Sequence, residues 1–217
     1  MVTPTSFELC VNYFRLISVT TAGMLFNRFP ALVAGKEQDT EAMDILQSID
    51  DRSDLQEVFY AVALDASRYG DGLLYVRREN GKGVIDIARA DCWFPVVDAA
   101  NIRRVLYHVL ATAYRQGDNS FLRAEIHSPG SIEIRDYRME GASIGQQIGQ
   151  SLEKTGLDTF SVFPVSNLRP SDRVHGIDDY NDVQSLVCEL EVRMAQINRI
   201  LDKHTNPSMQ GPREALT

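Results

Sequence analysis

An α+β fold is predicted by three features of the sequence. Apolar residues recur at helical spacing up to residue 70, alternate with period two between about 73 and 165, and return to a helical period after 177. Segregation of this kind argues for helices laid on a mostly antiparallel sheet rather than alternating βαβ units. The expected organisation is N-terminal helices over 1–70, an antiparallel β region over 71–166, a loop and long C-terminal helix over 167–206, and a flexible tail over 207–217.

Each element has its own local reason. Thr5-Ser6-Phe7-Glu8 fits a capping box, in which the glutamate reaches back to the cap amide. The apolar stretch behind it, 7–29, carries few charges, so both faces of that helix are expected to be covered by protein. Residues 33–39 read as a linker and 40–49 as a short helix. Ser53-Asp54-Leu55-Gln56 is a second capping box. Leu55, Val58, Phe59, Val62, Ala63 and Ala66 follow it at helical spacing, and Tyr69-Gly70-Asp71-Gly72 closes the helix through a left-handed glycine.

Strands are expected over 73–78 and 84–88, joined by Asn80-Gly81, a pair that tolerates the positive φ of a tight hairpin. Further strands are expected over 93–97, 104–114, 121–127, 131–137 and 159–165. In the strand over 121–127 Leu122, Ala124 and Ile126 share one face and Arg123, Glu125 and His127 the other, the alternation of a sheet with one covered face. Residues 141–156, rich in Gly, Gln and Ser, read mostly as loop. A helix is expected from about 177 to 204, ended by Asn206-Pro207.

Within that helix Tyr180, Val183, Val187, Leu190, Met194, Ile197 and Leu201 are spaced alternately three and four apart, a heptad seam held for three heptads. About 27 residues make a helix about 40 Å long. The seam fits a core helix within its own domain, a contact with another subunit, or a two-stranded coiled coil. In each case Leu190 and Ile197 should be buried.

Composition excludes several classes. Of 217 residues, 44% are hydrophobic and 24% charged, ordinary globular values. Lys+Arg number 22 against 30 Asp+Glu, net −8, so this is no basic DNA-coating protein. Apolar runs such as 93–97 fall far short of the ~20 residues that span a bilayer, so no membrane association is expected. The opening MVTPTSFELC has no basic segment followed by an apolar one, and no secretory signal is expected. Cys10, Cys92 and Cys188 are odd in number and far apart, which suggests free thiols, buried or inert, in a reducing compartment.

No cofactor, metal site or catalytic constellation is expected. Gly141-Ala142-Ser143-Ile144-Gly145 matches the G-x-S-x-G nucleophile elbow, which would make a small α+β serine hydrolase using Ser143 the rival reading. That elbow needs a strand, a strained turn and a helix, and Gln146-Gln147 opens a helix poorly. His175 lies near Asp172, Asp178, Asp179 and Asp182, but acidic residues in a first helical turn follow from the helix dipole alone. His108 and His127 sit on strands without ligand-spaced partners and read as structural. A third reading is a non-enzymatic interaction module whose heptad helix binds one partner.

Several segments together resemble a tailed-bacteriophage portal protein. Leu64-Asp65-Ala66-Ser67-Arg68-Tyr69-Gly70-Asp71-Gly72-Leu73-Leu74-Tyr75-Val76 is similar to the family's helix that ends in a Tyr-Gly-Asp-like motif and enters a strand. Val165-Ser166-Asn167-Leu168-Arg169-Pro170-Ser171-Asp172-Arg173-Val174-His175-Gly176, leading into the long helix, is similar to its polar loop and glycine turn. The resemblance spans roughly 40–207, and it is the order of the motifs that carries it. Gly176 is followed by Ile177-Asp178-Asp179, which meets the family's Gly-x-Ser-Asp only in part.

The resemblance implies a non-enzymatic structural subunit of a phage or prophage head–tail connector, present in the virion and in the host cytoplasm during assembly. It implies self-association into a ring, a dodecamer for full-length family members. Double-stranded DNA passes through that ring, and the partners are the terminase motor, the capsid and tail adaptor proteins. Family members are about twice this long, so the chain would correspond to the wing and stem entry without clip or crown. On this reading the 217-residue chain alone should be a monomer or a weak oligomer.

Overall fold

The structure, a computed structural model, describes residues 12–28, 30–33 and 40–205. The capping box at residues 5–8, Cys10, most of the 33–39 linker, the expected helix stop at Asn206-Pro207 and the 207–217 tail lie outside these residues. The chain is α+β, with four α-helices and antiparallel sheets among the described residues. It divides into two compact units, one of residues 17–179 and one of residues up to 16 together with those from 180 on.

In the larger unit, α1 (Tyr13–Phe26, from Ile17 on), α2 (Thr40–Ser53) and α3 (Leu55–Tyr69) precede the sheets. The strands are β1 (Asp71–Glu79), β2 (Lys82–Ala88), β3 (Trp93–Asp98), β4 (Asn101–Gln116), β5 (Asn119–Ser128), β6 (Ser131–Glu140), β7 (Ser143–Lys154) and β8 (Val162–Ser166). One sheet has the order β2-β1-β8, the other β3-β4-β5-β6-β7, and every pairing is antiparallel. α3 buries Leu55, Val58, Val62, Ala63 and Ala66, the stripe its spacing predicts, and packs mainly on β1. Leu73, Ala88, Trp93, Leu110 and Val162 form a core where the two sheets meet.

Local signals were realised with substitutions of partner. Asp54, not Ser53, caps α3: its carboxylate accepts from the Glu57 amide at 3.3 Å. Ser53 Oγ instead accepts from the Ile85 amide on β2 at 3.0 Å, fastening helix to sheet. Gly70, at φ 85°, ends α3 and donates its N–H to the Ala66 carbonyl, and Asn80 and Gly81 take the positive φ of the hairpin turn.

Four expectations are corrected. Residues 143–154 are a strand, β7, not loop: β6 offers a backbone edge, and pairing needs no apolar alternation from the incoming segment. The fourth helix, α4 (Gln184–Thr205), begins seven residues later than expected. Residues before it are held in turns by tertiary bonds, among them the Asp179 amide to the Ser67 carbonyl at 2.9 Å and the Ile177 amide to the Leu168 carbonyl at 2.7 Å. Third, the more deeply covered face of the five-stranded sheet is that of His127, with Trp93, Leu110 and Ile132, while Leu122, Ala124 and Ile126 are only partly covered.

The fourth concerns α1, which is not covered on both faces. Its small residues Ser18 and Ala22 face inward, and Met24 (81% exposed) and Leu25 face out. Ser18 Oγ lies 3.0 Å from Ser67 Oγ on α3, and only short side chains permit that approach. Ala22→Leu should therefore overpack the contact and cost about 1–3 kcal/mol, while Met24→Ser should stay within about 0.5 kcal/mol of wild type; urea unfolding of the two variants measures both.

The smaller unit consists of α4 and the start of α1. Tyr13 Oη donates to Met194 Sδ at 3.3 Å, and the Phe14 and Tyr180 rings lie 4.8 Å apart. No helix among the described residues is long and apolar enough to cross a membrane.

Candidate functional site

The densest polar arrangement lies where α3 turns into β1. Asp71 is buried, and its carboxylate accepts three hydrogen bonds: from Ser166 Oγ (2.6 Å) to Oδ1, and from the Gly176 amide (3.0 Å) and His175 Nδ1 (3.2 Å) to Oδ2. The Asn167 amide donates to the Gly70 carbonyl at 2.9 Å. One turn back along α3, buried Ser67 donates to Asp179 Oδ2 at 2.7 Å, and Asn167 Nδ2 donates to Asp179 Oδ1 at 2.6 Å. The His175 ring stands edge-on to Trp93 at 5.1 Å.

Two glycines allow the backbones to cross here. A Cβ on Gly176 would lie 2.1 Å from the Gly70 carbonyl oxygen, and one on Gly70 would lie 2.3 Å from that of Gly176. Neither position admits any side chain. A buried carboxylate with three donors is a strong structural acceptor: it fixes the donors' positions, and three of its roughly four lone-pair sites are already taken.

A second buried cluster joins the two sheets. Trp93 Nε1 donates to His108 Nδ1 at 3.1 Å, and the His108 ring meets Phe160 edge-on at 4.7 Å. His127 Nδ1 lies 2.7 Å from Ser161 Oγ, and its Nε2 lies 3.6 Å from Glu125 Oε2. Serine, histidine and carboxylate are the residue types of a nucleophilic relay. Here the Ser161 hydroxyl and the His127 ring are fully buried, and the 380 Å³ cleft beside Tyr75, Arg78 and Lys154 is lined by neither. The arrangement as it stands fastens β5 to the segment entering β8.

An indole N–H can only donate, so His108 Nδ1 must accept and the ring is neutral with its proton on Nε2. Burial, and then the neighbouring His127, hold its pKa down at about 4. Tyr75, edge-on to His127, is shifted the other way by burial and by Glu125 and Glu153, which keep the phenol protonated.

The residues singled out from sequence are dispersed. Ser143 opens strand β7 opposite Glu140 in a strand–turn–strand connection, without the helix that a nucleophile elbow requires. His175 pairs with Asp71 rather than with Asp172, Asp178 or Asp182. Among the described residues no group of three His, Cys, Asp or Glu side chains is disposed to hold a metal ion. Cys92 and Cys188 are both free thiols; Cys92 is partly covered, with its thiol shifted up by burial, and Cys188 is exposed.

Of the heptad seam, Val187 is buried, Tyr180, Val183 and Met194 are partly covered, and Leu190 (42%), Ile197 (56%) and Leu201 are exposed. Burial of Leu190 and Ile197 within the chain is thus not realised. Sequence reasoning missed the roles of Asp71, Ser67, Asp179 and Ser161. The only signal for the first was its place in Tyr-Gly-Asp; the others needed the fold.

No protein-family model matches this sequence, and no curated protein shows detectable sequence similarity to it.

Two outcomes are expected. Gly176→Ala should cost more than about 2 kcal/mol, because backbone atoms must separate, and Asp71→Asn should cost about 2–4 kcal/mol, because one amide cannot accept from three donors. Chemical denaturation checks both. For His108 the folded-state pKa lies below the unfolded one, so the unfolded chain takes up the proton first as pH falls. Its contribution is full above pH 6.5 and is lost between there and about pH 4, by at most about 3 kcal/mol. His108→Gln, which can still accept from Trp93, should flatten that part of the stability–pH curve.

Proposed function

We propose that this chain is a structural subunit of a macromolecular assembly rather than an enzyme. More particularly, its best reading is the wing-like part of a tailed-phage portal ring, through which double-stranded DNA is packaged and ejected. One observation carries this reading. The two segments that resemble portal proteins, residues 64–76 and 165–176, lie far apart in sequence yet cross at Gly70 and Gly176 and share the Asp71 carboxylate. Motifs whose order alone made the resemblance are thus parts of one junction.

The exposed half of the seam supports the same reading. Among the described residues, Leu190 and Ile197 recur along α4 with 42% and 56% of their surface exposed, and a neighbouring subunit would supply cover for them. On this reading the ring partners are further copies, with terminase, capsid and tail adaptor proteins beyond them.

Mass spectrometry of DNA-containing particles purified from the source cells tests it. Peptides of this chain, or of a longer product containing it, should co-purify with the particles. Their absence from the particles, together with an esterase activity abolished by Ser143→Ala, would favour the hydrolase reading instead.

The exposed seam makes a second prediction. Leu190→Asp should shift the melting temperature of the isolated chain by no more than about 2 °C, since an exposed substitution costs within about 0.5 kcal/mol. In the assembled particle the same substitution buries an unpaired carboxylate and should prevent ring formation, seen as loss of rings by negative-stain electron microscopy.

A further inference from the structure

One cleft in the larger unit is lined by neither the Asp71 junction nor the His108 and His127 contacts. Its volume is 380 Å³, within the range of small-molecule sites. On one side stands the β1–β2 hairpin, with Tyr75, Arg78, Gly81 and Gly83; on the other are Ile132 and the run from Glu153 to Leu157.

The hairpin end is cationic and its charges are free. Arg77 is held by Glu79 and Asp86, each at 3.0 Å. Among the described residues, by contrast, Arg78 and Lys154 have no hydrogen-bond or ion-pair partner within the chain, and both are exposed. Gly156, at φ 73°, leaves its N–H without a partner among the same residues. A Cβ on Gly83 or Gly156 would meet nothing within 4 Å, so the backbone is open to approach there. In a chain of net −8, two unpaired cations and an open amide on one cleft make a local anion site.

The other end has a different chemistry. Tyr75 precedes Arg78 by three residues on β1, about 10 Å along the strand. Burial, then Glu125 and Glu153, raise the pKa of the Tyr75 phenol, so it stays protonated and able to donate. Its hydroxyl has no hydrogen-bond partner among the described residues. Ile132 pairs with Glu153 across β6 and β7, which sets an apolar side chain beside that carboxylate. This end therefore offers one donor and one acceptor against an apolar wall. A free phosphate would use only the cationic end. A ligand that uses both carries an anionic group and, about 10 Å away, a hydroxyl or amino group on an organic body.

We propose that this cleft binds a phosphate monoester of mononucleotide size. Arg78, Lys154 and the Gly156 N–H hold the phosphate, and Glu153 and Tyr75 hold the hydroxyl or amino groups of the organic body. An arginine suits the phosphate because its planar fork donates to two oxygens together. The inference is independent of the portal reading.

Isothermal titration calorimetry of the full chain with adenosine 5′-monophosphate, inorganic phosphate and adenosine tests the proposal. The monophosphate is expected to bind with a dissociation constant below about 1 mM, at least about tenfold tighter than either half alone, and more weakly as salt rises. Arg78→Ala and Lys154→Ala change exposed side chains without polar partners, so neither should disturb the fold by circular dichroism. Each should weaken the monophosphate at least about fivefold, and Arg78→Lys should recover part of the loss. Glu153→Ala should weaken the monophosphate but not inorganic phosphate. Arg103→Ala, an exposed cation on β4 outside the cleft, should change nothing.

The proposal is overturned if the monophosphate fails to bind at about 10 mM, or binds no tighter than inorganic phosphate. Affinity unchanged by both Arg78→Ala and Lys154→Ala would equally overturn it. Binding on the expected terms supports it whether or not the chain is found in virus particles.

Discussion

At Gly70 and Gly176 two stretches of backbone cross with the carbonyl oxygen of each filling the space a Cβ on the other would need, and much of the larger unit takes its position from that crossing. Gly70 is the left-handed cap of α3, and Asp71 is the first residue of β1. The carboxylate of Asp71 then gathers the end of β8 through Ser166 and the approach to α4 through His175 and Gly176. A helix end, two strands and a long connection are therefore tied to one buried acceptor. A side chain at either glycine would force the backbones apart and leave that acceptor without donors it needs while buried.

Away from the crossing, the two sheets are held by apolar packing, within which the Trp93–His108 hydrogen bond requires a neutral imidazole. Trp93, Leu110, Leu73 and Val162 exclude water from the joint, and the low dielectric this creates favours uncharged imidazole at His108. The indole N–H of Trp93 makes the same demand by geometry. Packing and hydrogen bonding thus select one protonation state together.

The outer surfaces follow a different logic. Among the described residues, α1 turns Ser18 and Ala22 inward and Met24 and Leu25 outward, Leu190 and Ile197 on α4 are exposed, and Phe94 and Tyr107 stand out from one face of the five-stranded sheet. By contrast, among the described residues His108, His127 and Ser161 are taken up in buried contacts at the joint of the two sheets.

What the sequence determined by itself was local and periodic. Helical spacing in α3, the glycine that ends it, the Asn80-Gly81 hairpin and the alternation along β4, β5 and β6 are short-range properties, decided by steric limits on φ and by side-chain direction within a few residues. Tertiary structure decided whatever depended on which partner arrives. Residues 143–154 became a strand because β6 supplied an edge, and 177–183 stayed out of α4 because bonds to Ser67, Leu168 and Asn167 outweighed one more helical turn. The covered side of the five-stranded sheet became that of His127 because β1 and β8 pack there, although the residues of the opposite side are the more apolar. Asp71 acquired its role from donors about 95 and 105 residues away, a separation at which no period or spacing carries information.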